Sequence, residues 1–447
     1  MLRVGCGSSC AACRPEEAVR LAESGIVDYL VFDRLAERTT AELVLRKSKG
    51  GRAFDPEFEI YLRALLPVCV EKGIKLVTNA GGEDPEGALD LALSVCRDLG
   101  LTGTRIAAMK NSNVLEAVSQ QDPTVLETGE PLSALEGEIL GATAYFGAQS
   151  IVEGLDGGAT LVITGRVGDS TLYFGPMVYE YEWPWNNWDL LGRGMGVGHV
   201  MECGPQVTGG YFASPPYKTV PDLARVGLPY AEVQPNGDAV ITKLPETGGV
   251  ITVPVVKEQL LYEVGNPARY IHPDVVVDFT TTTLEQVGTD RVRITGTTGH
   301  PRPETLKVLV TVKEGYIGES YIQFGGTDAL DRAKLSAQLV QDRLAVMGIQ
   351  PQEFRAAYIG IDSLFAPWGK DPVVPREVML HVAGRFEARE EAERFVWDCF
   401  MGAGNHYGPA GGTPGRNLMP IDETPSVYTV LVPRETIEEP AVVIEEA

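Results

Sequence analysis

Three thiols stand close together near the N-terminus, with Cys6, Cys10 and Cys13 in the spacing C-x3-C-x2-C. Each of three such thiolates could bind one iron of a [4Fe-4S] cluster and leave the fourth iron open. An open iron is a Lewis acid, which would help a hydroxyl group to leave a substrate. The competing interpretation is that small, weakly polar cysteines only fill a turn.

Two glycines lie in the same stretch and suggest an anion-binding turn. Gly5 and Gly7 begin the glycine pattern of dinucleotide-binding folds, although the third glycine position is Cys10. Backbone N–H groups without side chains, next to a helix N-terminus, suit phosphate or carboxylate. We expect Gly5 and Gly7 to bind the substrate together with Arg38 or Arg166.

Histidines farther along the chain are candidates for a catalytic base. His199 and Glu202 are three residues apart, so on a helical turn they share a face and could act as a base or bind a metal. A packed histidine beside a solvated carboxylate explains the same pair. His406 lies in the glycine-rich loop 401–416, which we predict folds over a site.

Residues 1 to about 165 alternate strand-length apolar runs with helical patterns, which predicts βαβ units and a doubly wound, mostly parallel sheet. The predicted strands are Leu2–Gly5, Val27–Phe32, Ile74–Thr78, Thr104–Met109 and Thr160–Thr164, and the predicted helices lie near 15–24, 36–48, 56–72, 84–99 and 133–155.

Ligands of such sheets bind beyond the carboxyl ends of the strands. Asn79 and Gly81 follow the third predicted strand, Lys110 follows the fourth, and Arg166 and Asp169 follow the strand at 160–164. We expect these residues to contact the substrate, with Lys110 and Asn79 replacing the iron in a metal-free version. Helix capping is the competing explanation for Asp169.

The chain divides into two predicted domains and a tail. Residues 1–215 form the parallel α/β domain and end in a loop, 170–215, whose glycines do not favour a stable helix. Residues 216–434 alternate β-rich segments with two helices and predict an α+β domain of split βαβ type. Residues 435–447 form an acidic tail, which is expected to be mobile or bound to a partner.

Composition restricts the function classes. The chain has 447 residues, 44% hydrophobic, with a formal net charge of −23, which argues against nucleic acid or an anionic membrane surface as a partner. No apolar run reaches membrane-spanning length and no signal peptide is evident, so a cytoplasmic location is expected. Seven cysteines, an odd number, favour reduced thiols over a disulfide framework.

Several separate stretches resemble one family, the acyclic terpene utilisation AtuA family. They are LAERT at 35–39, VTNAG at 77–81, LVITGRV at 161–167, ECGPQVTGGYF at 202–212, TGG at 247–249, VKEQLLYE at 256–263, PRPETLK at 301–307 and YGPAGG at 407–412.

The resemblance implies catabolism of branched, isoprenoid-derived carboxylic acids or their CoA thioesters. Longer relatives carry an extra small C-terminal domain that this chain lacks, which implies a separate small subunit of about a hundred residues. Cys10 departs from the glycine that is typical of relatives at this position.

The leading hypothesis is a hydro-lyase that adds or removes water on a small carboxylate or acyl-CoA. It would use Cys6, Cys10 and Cys13 for the cluster, and His199, Glu202 or His406 as the base. One alternative is an NAD(P)-dependent oxidoreductase, in which Asp33 would bind the ribose. Another is a non-catalytic subunit of a two-component enzyme. An oligomer is expected in each case.

Overall fold

The structure is a computed structural model that describes residues 1–10, 13, 15–110, 112–365, 375–409 and 419–447. Two compact units make up the chain, and their bounds differ from the predicted boundary near residue 215. The large unit consists of Met1–Leu135, Leu140–Thr311 and Val427–Ala447. The inserted unit consists of Glu136–Ile139 and Val312–Ser426.

The elements up to residue 202 alternate helices and strands. In order they are β1 (Leu2–Ser8), α1 (Glu16–Glu23), β2 (Tyr29–Phe32), α2 (Glu37–Ser48), α3 (Phe58–Lys72), β3 (Lys75–Thr78), α4 (Pro85–Leu99), β4 (Arg105–Met109), α5 (Leu115–Gln121), β5 (Glu138–Ala144), α6 (Gln149–Asp156), β6 (Leu161–Ile163), α7 (Thr171–Tyr181) and α8 (Trp188–Glu202).

The later elements are richer in strands. They are β7 (Pro229–Val233), β8 (Ala239–Lys243), α9 (Val253–Leu261), β9 (Tyr270–Ile271), β10 (Val276–Asp278), β11 (Thr283–Gly288), β12 (Arg291–Thr295), β13 (Thr298–His300), β14 (Thr305–Lys313), β15 (Tyr316–Gly325), α10 (Ala329–Met347), β16 (Glu353–Ile359), β17 (Glu377–Phe386), α11 (Arg389–Asp398), β18 (Ile421–Asp422), β19 (Pro425–Pro433) and β20 (Val442–Glu446).

The predicted parallel sheet is confirmed as the centre of a larger mixed sheet. Its strand order is β11-β12-β8-β7-β1-β2-β3-β6-β4-β20, and β1, β2, β3, β6 and β4 run parallel to one another. The central strands are apolar without alternation, as in Leu30 and Val31, because helices cover both faces. Their carboxyl ends therefore meet along one edge of the sheet.

The acidic residues at the end of the chain are not a free tail. β20 pairs antiparallel with β4, from Val442 opposite Met109 to Glu446 opposite Arg105. β4 would otherwise present an unpaired row of N–H and C=O groups, which an added strand satisfies. The prediction of a mobile or partner-bound tail was wrong because a charged composition does not reveal this backbone pairing.

Two further predictions within the large unit were wrong. The helix expected at 133–155 is the strand β5 followed by α6, and the loop expected at 170–215 contains the helices α7 and α8. Glycines in α8 allow close packing that outweighs their low helix propensity. A Cβ atom at Gly192 would lie 2.4 Å from the carbonyl oxygen of Thr298, and one at Gly194 would lie 2.4 Å from the Trp183 ring.

The inserted unit has the split βαβ arrangement that was predicted for the wider range 216–434, whereas β7 to β13 of that range belong to the large unit. Its elements follow the order β15, α10, β16, β17, α11, β18, and its sheet has the order β16-β17-β15-β18. Alternate residues of β15 and β17, such as Ile322, Phe324, Leu380 and Val382, are buried against the helices. Within the described ranges, no helix is long and apolar enough to cross a membrane.

The close packing of α8 predicts that adding one methyl group at Gly192 destabilises the protein. Gly192→Ala should lower the free energy of unfolding by about 1–3 kcal/mol, because the clash with the Thr298 backbone outweighs the gain in helix propensity. Thermal unfolding measures the loss. Gly265→Ala is the matched control, since a Cβ atom there meets nothing within 4 Å. Equal stability of the two variants would contradict this account of α8.

Candidate active site

A buried hydrogen-bond network joins the ends of β2 and β3. The Asn79 side-chain amide donates to Asp33 Oδ1 over 2.7 Å, and its carbonyl oxygen accepts from the backbone N–H of Arg34, also over 2.7 Å. Burial raises the pKa of Asp33 well above its usual range, the Asp169 carboxylate raises it further, and Arg166 and Asn79 oppose the rise. Asn79 thus holds Asp33, and neither side chain is exposed.

Arg166 follows β6 and is completely buried. Its Nη1 atom donates to Asp169 Oδ1 over 2.5 Å and to the carbonyl oxygen of Leu35 over 3.2 Å. Its Nη2 atom donates to the Tyr145 hydroxyl over 2.8 Å, and the guanidinium lies 4.2 Å from the centre of that ring. The guanidinium is therefore already paired, and its direct effect is to orient Asp169.

Tyr145 extends this network to a second ion pair. Its hydroxyl donates to Glu37 Oε1 over 2.6 Å, and Lys307 Nζ lies 3.0 Å from the same oxygen. Burial raises the pKa of Glu37, but the Tyr145 hydrogen bond, Arg166 and Lys307 outweigh it and lower the pKa to about 2. Glu37 is therefore a carboxylate at neutral pH and anchors Lys307.

The predicted pair of His199 and Glu202 is present at the end of α8. His199 Nδ1 lies 2.9 Å from Glu202 Oε1, and the Ser170 hydroxyl donates to Glu202 Oε2 over 2.6 Å. His199 has no exposed surface, and its ring lies against Tyr270 with 4.8 Å between the ring centres. His199 therefore lies behind Glu202 and Tyr270, the two residues through which it can influence a ligand in the cleft.

One cleft of about 680 Å³ in the large unit is lined by four residues of these networks, namely Glu37, Tyr145, Asp169 and Glu202. The Asp169 side chain is 35% exposed. Burial, Glu202 and Glu37 raise the pKa of Asp169, Arg166 lowers it, and the resulting pKa is about 6. The full lining is Glu37, Tyr145, Gly168, Asp169, Glu202, Glu263, Arg269, Tyr270, Ile271, His272, Pro273, Val276, Pro301–Lys307 and Leu431.

Aromatic and basic side chains also line the cleft. Tyr270 and His272 meet edge to face with 4.5 Å between ring centres. Burial lowers the pKa of His272 to about 4, so the imidazole is neutral at pH 7. Arg269 and Arg302 are exposed at the cleft, where a cation attracts an anionic ligand.

The structure places the predicted glycines in close packing. Gly5 and Gly7 lie within β1 and not in a turn, and a Cβ atom at Gly7 would come 2.3 Å from the Phe32 ring. Gly81 donates its N–H to the carbonyl oxygen of Thr164, and a Cβ atom there would lie 2.6 Å from that oxygen. Packing explains all three glycines, and substrate binding by them stays a prediction.

Three other predicted residues lie outside this cleft. Arg38 is an exposed residue of α2 whose side chain pairs with Glu42 over 3.3 Å. Lys110 is exposed, and its backbone N–H donates to Ala441. His406 belongs to the inserted unit, where it lines a separate cleft with Arg343, Trp397 and Tyr407. Part of its loop, 410–416, lies outside the described residues.

The three N-terminal cysteines differ in their surroundings. Cys6 is buried in β1, and burial raises its pKa to about 12. Cys10 and Cys13 follow β1 with their sulfur atoms 3.2 Å apart. Among the described residues, no group of three or more His, Cys, Asp and Glu side chains is arranged to hold a metal ion. The iron–sulfur cluster stays a prediction from the spacing alone.

Many residues of the cleft wall were not predicted as site residues from the sequence. They are Glu37, Tyr145, Glu263, Arg269, Tyr270, His272, Arg302 and Lys307. A signal for four of them was present, because Glu37, Glu263, Arg302 and Lys307 lie in stretches that carry the family resemblance, at 35–39, 256–263 and 301–307. Tyr145 and His272 had no such signal.

A mixed sheet whose five central strands run parallel, with acids, bases and a cleft beyond their carboxyl ends, defines an α/β protein whose candidate site lies where this architecture predicts it. The chain belongs to the acyclic terpene utilisation AtuA family, because the family model described as "Acyclic terpene utilisation family protein AtuA" matches residues 2–443. Searches of curated proteins and of solved structures each gave no match.

The low pKa of Glu37 predicts a pH-dependent contribution to stability. Its pKa is about 2 in the folded protein against an ordinary value of 4.5, so its charge stabilises the fold above pH 4.5 and this contribution is lost as the pH falls toward 2. Glu37→Gln should therefore unfold at a lower temperature than the wild type at pH 7, and the difference should shrink at pH 3. The exposed Glu23→Gln is the control. A difference that is constant with pH would contradict the prediction.

Proposed function

We propose that this protein is a catabolic enzyme that adds or removes water on a small branched carboxylate or its CoA thioester. The observation that supports the proposal is that two carboxyl groups, Asp169 and Glu202, line one cleft together with two exposed arginines. Dehydration requires a base for the carbon-bound proton, an acid for the departing hydroxyl and an anchor for the anion.

Glu202 is the proposed base. One of its oxygens accepts a hydrogen bond from Ser170 and the other contacts His199, so the carboxylate is fixed at the cleft. In dehydration Glu202 takes the proton from the carbon next to the carboxylate or thioester. His199 is a positioning residue, because it is buried behind Glu202 and does not line the cleft.

Asp169 is the proposed acid. With a pKa of about 6, it is about half protonated at pH 6 and about one-tenth protonated at pH 7, and the protonated form is the one that acts as a general acid. It gives this proton to the hydroxyl as the carbon–oxygen bond breaks, so that water leaves and a carbon–carbon double bond forms. In the hydration direction, ionised Asp169 accepts a proton from the attacking water.

Arg269 and Arg302 are the proposed anchors for the substrate's negative charge. Both are exposed at the cleft, and Lys307, which pairs with Glu37, also lines it. The family name, which refers to acyclic terpenes, supports a branched apolar chain on the anionic group.

The acid–base assignment predicts the effect of two isosteric substitutions. Branched 3-hydroxy acids and their CoA thioesters are incubated with the protein in D2O, and water loss and deuterium incorporation are followed by mass spectrometry. Asp169→Asn and Glu202→Gln should each lower kcat by about 10²–10⁴-fold. Asp90→Asn, on the exposed face of α4, is the control. Wild-type turnover in both variants, with thermal unfolding unchanged, would contradict the proposal.

The pKa of Asp169 also predicts a pH profile. Because dehydration needs the protonated acid, kcat/KM in that direction should fall as the pH rises through about 6, and Asp169→Asn should abolish this pH dependence. A profile that is flat between pH 5 and 8 would exclude Asp169 as the acid.

The anchoring role of Arg302 predicts a different effect. Arg302→Gln should raise KM about 10–100-fold with little change in kcat, because a charge-assisted hydrogen bond to the anion contributes about 1.5–3 kcal/mol.

A further inference from the structure

We propose that Cys10 and Cys13 form a reversible dithiol–disulfide pair, a redox site that the proposed hydro-lyase chemistry does not use. The two sulfur atoms lie 3.2 Å apart, whereas a disulfide bond is about 2.05 Å long. Closing the bond therefore requires the sulfurs to approach by only about 1 Å. The spacing C-x2-C beside a βαβ unit is also typical of redox-active cysteine pairs.

A backbone hydrogen bond joins the two cysteines. The N–H of Cys13 donates to the carbonyl oxygen of Cys10 over 3.2 Å. Arg34 Nη1 donates to that same carbonyl oxygen over 2.9 Å, and the Tyr61 hydroxyl donates to the carbonyl oxygen of Cys13. The backbone is therefore held by another side chain at each of the two cysteines.

Arg34 and Tyr61, which make these contacts, are themselves held by neighbouring side chains. The Arg34 side chain is 2% exposed and pairs with Asp55 over 2.7 Å. Its guanidinium also stacks 4.3 Å from the centre of the Tyr61 ring. Arg34 and Tyr61 therefore support each other. The backbone at Cys10 and Cys13 can keep its hydrogen bonds to these two side chains while the sulfur atoms form or break a disulfide bond.

Exposure distinguishes the roles of the two thiols. Cys10 is exposed and Cys13 is half-buried, whereas Cys6, Cys69, Cys96 and Cys399 are buried. A small oxidised thiol such as glutathione disulfide can therefore reach Cys10. Cys10 attacks it and forms a mixed disulfide, with release of one glutathione thiolate.

Cys13 then completes the exchange. Its thiolate attacks the Cys10 sulfur of the mixed disulfide, a Cys10–Cys13 bond forms and the second glutathione leaves. The two cysteine thiols together lose two protons and two electrons, and glutathione disulfide gains them to become two molecules of glutathione. Reduced glutathione or another dithiol reverses both steps.

The test is a redox titration of the whole chain with mixtures of reduced and oxidised glutathione. Free thiols are alkylated in denaturant and counted by mass spectrometry. The oxidised wild-type chain should fall from seven free thiols to five, with an internal link in the peptide that contains Cys10 and Cys13. Dithiothreitol should restore all seven.

Matched variants separate the pair from the other cysteines. Cys13→Ser should stop at a glutathione adduct on Cys10, Cys10→Ser should form no internal link, and Cys203→Ser, at another half-buried cysteine, should form the link as the wild type does. Thermal unfolding checks that each variant is folded. Two results on wild-type protein would overturn the proposal: free thiols at Cys10 and Cys13 in fully oxidised glutathione, or stoichiometric iron on these thiols after anaerobic purification.

Discussion

The candidate site depends on one buried charge, the guanidinium of Arg166, which has no contact with water. A buried ion costs several kcal/mol unless charges and hydrogen bonds around it compensate. Asp169, Tyr145 and the carbonyl oxygen of Leu35 provide that compensation. Because these groups follow different strands of the large unit, the requirement to satisfy one side chain fixes the ends of β2, β5 and β6 with respect to one another.

The buried region around Arg166 contains more carboxyl groups than basic side chains. Asp33, Asp169 and Glu202 act electrostatically on one another around the single positive charge of Arg166. Burial raises the pKa values of Asp33 and Asp169 most, and the neighbouring carboxyl groups raise them further than the one guanidinium can offset. Burial and neighbouring carboxyl groups together thus bring the pKa of Asp169 to about 6, so that this side chain exchanges a proton close to neutral pH.

The sequence predicted the parallel strands well, because buried runs such as Tyr29–Phe32 are apolar on both faces and do not depend on distant partners. His199 and Glu202 were expected to share a face only if they lay on a helical turn, and they are in contact at the end of α8 although no stable helix was expected there. Local patterns did not predict α8, because its glycines depend on distant residues. Gly192 packs against the Thr298 backbone and Gly194 packs against the Trp183 ring. Tyr145 and His272 reach the cleft only through the tertiary fold.

The insertion of one unit into the other has a consequence for synthesis on the ribosome. The large unit begins at Met1 and is completed only by Val427–Ala447, so the whole inserted unit emerges before the large sheet can be finished. Until β20 emerges, β4 remains an open edge that can pair with other chains. The interval between these two events is the period in which the nascent protein is most exposed to aggregation and most dependent on chaperones.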